Sequence, residues 1–116
     1  MRPIKFYRLE SGASPVEDFI DKLSDKAAQK VLAVFKIIEN QDLVSSKFFK
    51  KLSGTDIWEC RIMWESNIFR FLAFFEKNNV VILTHGFQKK TQKTPSSEID
   101  RAVKYMNDYK RRNENE

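Results

Sequence analysis

The chain has one cysteine, one histidine, three glycines and three prolines in 116 residues. Cys60 alone cannot close an intrachain disulfide, so no disulfide framework holds the fold. A zinc site takes three or four protein ligands, and His85 with Cys60 offers two, which leaves no metal site to assign. The scarce glycines form no phosphate-cradling loop, and no serine sits in a nucleophile elbow. No stretch reaches the roughly 20 apolar residues of a membrane span. The opening MRPIKFYRLE lacks the apolar core of a signal peptide, so a cytoplasmic protein without a membrane partner is expected. No cofactor is called for.

What is present is a core and an excess of cations. Residues 1–116 are the size of one compact domain, and 41% hydrophobic content is too apolar for a disordered chain. Twenty-one lysines and arginines against sixteen carboxylates give a formal charge of +5. That balance favours polyanionic partners, nucleic acid or an acidic protein segment.

Ile4 to Glu10 has strand character and ends at Ser11-Gly12-Ala13. Ser14-Pro15-Val16-Glu17 then supplies an N-cap serine, a proline at the first helical position and a glutamate three residues beyond the cap. Val16, Phe19, Ile20 and Leu23 follow at helical spacing. Ser24-Asp25 begins a second helix carrying Ala27, Ala28, Val31, Leu32, Phe35 and Ile38 to about Gln41, so the two helices form a hairpin. KFFKKL, residues 47–52, reads as a basic and aromatic link. Three apolar runs come next, IWECRIMWE, IFRFLAFFE and VVILTHGF, and Ser66-Asn67 and Asn78-Asn79 between them suit two-residue hairpin turns, predicting an antiparallel meander. Thr94 as N-cap and Pro95 open a last helix with Ile99, Ala102, Val103 and Met106 on one face. Residues from about 110 to 116 are expected to fray.

Alternation across a sheet divides these strands into two faces. With Ser66-Asn67 as the turn, Trp64 opposes Phe69, Ile62 opposes Phe71, Cys60 opposes Ala73 and Trp58 opposes Phe75. That apolar face is the bed for the helical hairpin, with Phe19, Ile20, Leu32 and Phe35 upon it. The other face carries Glu59, Arg61, Met63, Arg70, Leu72 and Phe74, and the second turn sets His85 opposite Leu72 and Phe87 opposite Arg70. Lys89, Lys90 and Lys93 follow directly in THGFQKKTQKTP. Such a face can be a set of ordinary surface ion pairs or a phosphate-binding surface, since guanidinium forks and ammonium charges are what a sugar-phosphate backbone takes. Phe48, Phe49 and Phe87 could stack bases or belong to the core.

The strands IWECRI, FRFLAFF and VVILTHGFQKKTQKTP, with the following SSEIDRAVKYMNDY, resemble the RelE/HigB superfamily, most of all its HigB-like branch of phage-related killer proteins. The resemblance implies an α+β RelE-like fold, in which an N-terminal strand and helical hairpin pack on a twisted antiparallel sheet, with a C-terminal helix. It implies the toxin of a type II toxin-antitoxin pair, a ribosome-dependent endoribonuclease (mRNA interferase) that cleaves mRNA in the A site through attack of a 2′-OH on the adjacent phosphodiester. Its partners would be a cognate antitoxin, HigA-like with a helix-turn-helix, together with the ribosome and mRNA, and operator DNA only through the antitoxin complex. By the same resemblance Arg61 and Arg70 bind phosphate and stabilise the transition state, His85 or Glu59 transfers the proton, and Lys89 belongs to the reacting set. Lys50, Lys51, Lys89, Lys90 and Lys93 hold the RNA. No tyrosine takes the acid role, because Tyr105 and Tyr109 fall on the last helix. The ParE branch of the same fold offers another reading, inhibition of DNA gyrase without cleavage. A third is an inactive relative that only binds its antitoxin and represses the operon.

Overall fold

A computed structural model describes residues 1–77, 79–88 and 93–114. In chain order the elements are β1 (Ile4–Phe6), α1 (Pro15–Asp21), α2 (Asp25–Asn40), β2 (Phe49–Lys51), β3 (Trp58–Trp64), β4 (Asn67–Glu76), β5 (Val80–Gln88) and α3 (Ser96–Asn113). The strands form one sheet in the order β1-β5-β4-β3-β2. Neighbours are antiparallel, except that β1 runs parallel to β5. The fold is thus α+β and RelE-like, with a mixed sheet where the sequence suggests an antiparallel one. KFFKKL is not a plain link, since Phe49 to Lys51 pair with β3 and extend the sheet.

Local chemistry fixes the helix starts. Ser14 lies in the extended region, and its hydroxyl accepts from the Glu17 N–H at 3.2 Å, with Pro15 opening α1. Ser24 does the same for Ala27 at 3.2 Å. Each cap satisfies a helix N–H that would otherwise lack a partner. At the other end of α2, the Arg2 guanidinium donates to the Ile38 carbonyl at 2.7 Å and to those of Gln41 and Asp42, placing a cation at the negative end of the helix.

The hairpin covers the apolar face as expected. Phe71 is fully buried there, its ring edge-on to Phe19 at 5.5 Å and to Phe35 at 5.1 Å between centroids. Val31, Val34, Phe35 and Ile38 point inward from α2. Leu32 does not, and is 47% exposed. Each helical residue turns by about 100°, which carries Leu32 past the buried stripe centred on Val31.

The meander's register differs from the expected one by two residues. Glu65 and Ser66 make the turn, so Trp64 pairs with Asn67, Ile62 with Phe69, Cys60 with Phe71 and Trp58 with Ala73. Glu65 takes the positive φ, 55°, that reverses the chain there. A slip of two keeps every side chain on its face. In the next hairpin Glu76 pairs with Val80, a loop one residue longer than an Asn78-Asn79 turn allows. A bulge at Thr84 absorbs the extra residue, and beyond it Leu72 meets His85 and Arg70 meets Phe87 as expected.

The second face is not open. α3 packs across it and buries Leu72, Phe74, Ile82 and Phe87 with Ala102 and Met106, while Tyr7 and Ile57 complete a second core. Phe49 is buried in the first core and Phe48 packs at its margin, so these rings and Phe87 are core residues. Pro95, not Thr94, is the N-cap of α3, with no side-chain cap bond. The helix also runs on past the point where fraying is expected, and Arg112 donates to Asp108 from its last turn. No helix among the described residues is long and apolar enough to cross a membrane.

Candidate functional site

Strand pairing sets two rows of side chains across the α3 side of the sheet. Lys50, Glu59, Leu72 and His85 lie in one; Arg61, Arg70 and Phe87 lie in the next. Arg61 and Arg70 are direct cross-strand partners. Like charges opposite each other are destabilising unless an anion lies between or beside them. Glu59 is that anion, with Oε1 3.9 Å from Arg61 Nε.

Burial separates the two arginines. Arg70 is fully enclosed, whereas the Arg61 side chain keeps 29% of its surface in solvent. Burial lowers the Arg70 guanidinium from its ordinary value; Glu59 opposes that shift and Arg61 adds to it. Thr94, also buried, donates its hydroxyl proton to Glu59 Oε2 and accepts from Arg70 NH1 at 3.4 Å. This network displaces the cap role expected of Thr94.

A cleft of about 270 Å³ opens over this network, lined by Lys50, Leu52, Ser53, Glu59, Arg61, Lys93, Thr94 and Ile99. It gathers four of the residues expected at the site: Glu59, Arg61, Lys50 and Lys93. Lys50 and Lys93 are exposed at its rim, while Glu59 lies on its floor. Lys51 points elsewhere, into a separate hollow with Trp58, Phe74, Phe75 and Lys110. Lys89 and Lys90 lie outside the described residues.

His85 stands apart from the cleft, beneath the first turns of α3. Its Nδ1 is 3.1 Å from Thr84 Oγ1, a hydroxyl that also lies 3.1 Å from the Leu72 carbonyl oxygen. Nε2 faces Glu98 Oε1 at 3.4 Å. Phe87 stacks on the imidazole and Tyr105 meets it edge-on. Burial pushes the imidazole below its usual value, Glu98 draws it upward, and Arg101 pushes it down again. Cys60 is fully buried, and burial followed by the charge of Glu59 raises its thiol far above the ordinary range, which leaves it unreactive. Among the described residues no group of three or more His, Cys, Asp or Glu gathers as metal ligands would.

Sequence reasoning missed Thr94 as a member of this site. No local signal marked it: a threonine before a proline reads as N-cap and first helical position, and only the contact with Glu59, 35 residues away, draws the hydroxyl from the helix to the sheet.

The hairpin, mixed sheet and covering helix, with a basic cleft at one end of that helix, define a small α+β protein of RelE-like fold. The chain belongs to the family described as Phage derived protein Gp49-like, whose model matches residues 18–107. That family is known as one of RelE/HigB-like toxins of toxin-antitoxin systems. The matched span holds every cleft residue and leaves β1 outside it. No curated protein matches the chain.

Proposed function

We propose that this protein is a ribosome-dependent endoribonuclease of the HigB type, the toxin whose activity a cognate antitoxin restrains. The observation that carries the reading is the cleft that Arg61, Lys50 and Lys93 line together with Glu59, whose carboxylate pairs with Arg61. In-line attack of a 2′-oxygen on the neighbouring phosphorus needs a proton acceptor, cations against the charge that builds on the phosphorane, and a proton for the departing 5′-oxygen. Glu59 takes the 2′-hydroxyl proton as the new O–P bond forms. Arg61 stabilises the non-bridging oxygens. The P–O5′ bond breaks to give a 2′,3′-cyclic phosphate, and the 5′-oxygen takes a proton from water or a rim ammonium. Lys50 and Lys93 hold the flanking backbone as point charges.

Arg70 has another part in this scheme. Enclosed beneath α3, it holds Thr94 and offsets Glu59 and does not touch substrate. His85 does not line the cleft, being set behind Phe87, Tyr105 and Glu98, so the proton goes to Glu59, which does line it.

The test is a single-turnover cleavage time course on programmed ribosomes. Arg61→Ala is expected to lower the rate at saturation by roughly 100-fold, as loss of a group that meets transition-state charge does. Uncut mRNA with wild-type protein, or an Arg61→Ala rate equal to wild type, would overturn the reading.

A further inference from the structure

Arg70, Thr94, Glu59 and Arg61 form a chain of polar contacts whose direction is set by donor chemistry. A guanidinium only donates, so Thr94 Oγ1 accepts from Arg70. The hydroxyl has one proton, and it goes to Glu59 Oε2. Glu59 Oε1 is left for Arg61, the one member with substantial solvent exposure. Three of the four are buried, Arg70 at 0%, Glu59 at 2% and Thr94 at 8% exposure. Apolar side chains of similar volume often leave such a region as stable or more so, so stability is a weak account of the network. Helix capping does not account for it either, since Pro95 holds the cap position of α3 and the hydroxyl of Thr94 is given to the sheet instead.

We propose that Thr94 is a positioning residue. Its hydroxyl turns the Glu59 carboxylate so that one oxygen is tied inside and the other faces Arg61, which fixes the guanidinium at the mouth of the cleft. Because Thr94 directly follows Lys93 and precedes α3, the same bond anchors the rim lysine and the covering helix to β3. The effect on rate rests on the nuclease reading; the placement of Arg61 does not, and can be measured without any reaction.

The experiment compares Thr94→Val, which keeps the shape and removes the hydroxyl, with Thr94→Ser, which keeps the hydroxyl. Cleavage on programmed ribosomes gives the rate at saturation and the half-saturating protein concentration. The ¹⁵N signal of the Arg61 Nε–H, recorded on the free protein, reports the guanidinium's place. Expected for Thr94→Val are a fall of about tenfold or more in rate, half-saturation within about twofold, and loss of the Arg61 signal to exchange with water. Thr94→Ser is expected to recover the rate to within about threefold and to keep the signal. An unchanged Arg61 signal in Thr94→Val, or equal damage by both substitutions, overturns the proposal. If wild-type protein fails to cleave, the nuclease reading falls, and the Arg61 signal alone decides whether Thr94 positions it. Thermal melts of both variants keep misfolding from passing as mispositioning.

Discussion

Gly86 and Phe71 are cross-strand partners on the apolar face, and the space between them is already filled. A Cβ built on Gly86 would fall 2.5 and 2.8 Å from two carbons of the Phe71 ring and 3.0 Å from one of Phe19. The ring cannot retreat, because Phe19 and Phe35 hold it edge-on. Gly86→Ala should therefore cost about 1–3 kcal/mol as an overpacking change. Phe71→Ala should cost about 3–5 kcal/mol, the range for a truncated core aromatic. Together the two should not add. With the ring gone the new methyl enters vacated space, and an alanine in a strand is favoured over glycine by roughly 0.5–1 kcal/mol. The double mutant should thus be more stable than the sum of the singles predicts by about 1.5–4 kcal/mol. Urea denaturation of the four proteins, fitted with a common m-value, measures the cycle. Additivity within about 0.5 kcal/mol would refute the claim that ring and methyl compete for one space.

Other expectations concern charge and caps. Replacing Lys50 or Lys93 by Gln should weaken association with programmed ribosomes and reduce the slope of log K against log salt by about one per lysine, measured in a salt series. Asp108 is held down to about 2 by the Tyr7 hydroxyl and Arg112. A depressed carboxylate stabilises above its unfolded value near 3.9 and loses that contribution as pH falls toward about 2. Asp108→Asn should accordingly flatten the acid limb of a stability-against-pH curve in that window. Ser24→Ala, removing the cap of α2, should cost about 1 kcal/mol in chemical denaturation.

The facial division of the sheet was legible because alternation survives errors of two. Moving the turn from Ser66-Asn67 to Glu65-Ser66 changed every partner in the first hairpin and no side chain's face. The second hairpin was legible by compensation, its longer loop cancelled by the bulge at Thr84. β2 was not legible. Its three residues are too few to display a period, and only pairing with Trp58 to Cys60 makes Phe49 to Lys51 a strand. The covering of the charged face was also hidden. The stripe Ile99, Ala102, Val103 and Met106 announced an amphipathic helix, but nothing local named the surface it would bury, and two arginines with a histidine suggested an open one. Leu72, Phe74 and Phe87 were the contrary signal, three apolar side chains in the same rows as the charges. Arg61 and Glu59 could be nominated by charge and face, and Lys50 and Lys93 by charge and the family resemblance, while the part of Thr94 depended on a contact 35 residues distant in sequence.

That separation has a consequence for the order in which the molecule becomes itself. β5 lies between β4 and β1, so the first strand made has no neighbour until the last strand arrives. The cleft needs Thr94, and the second core needs α3. A chain still being synthesised can assemble its helical hairpin and the β3–β4 ribbon, yet it has no cleft until residues beyond 94 have left the exit tunnel. Contacts spanning so much of the sequence close slowly. The interval between the emergence of the hairpin and the docking of α3 is therefore built into the topology, a time during which the arginine-bearing face of the β3–β4 ribbon stands without its covering helix.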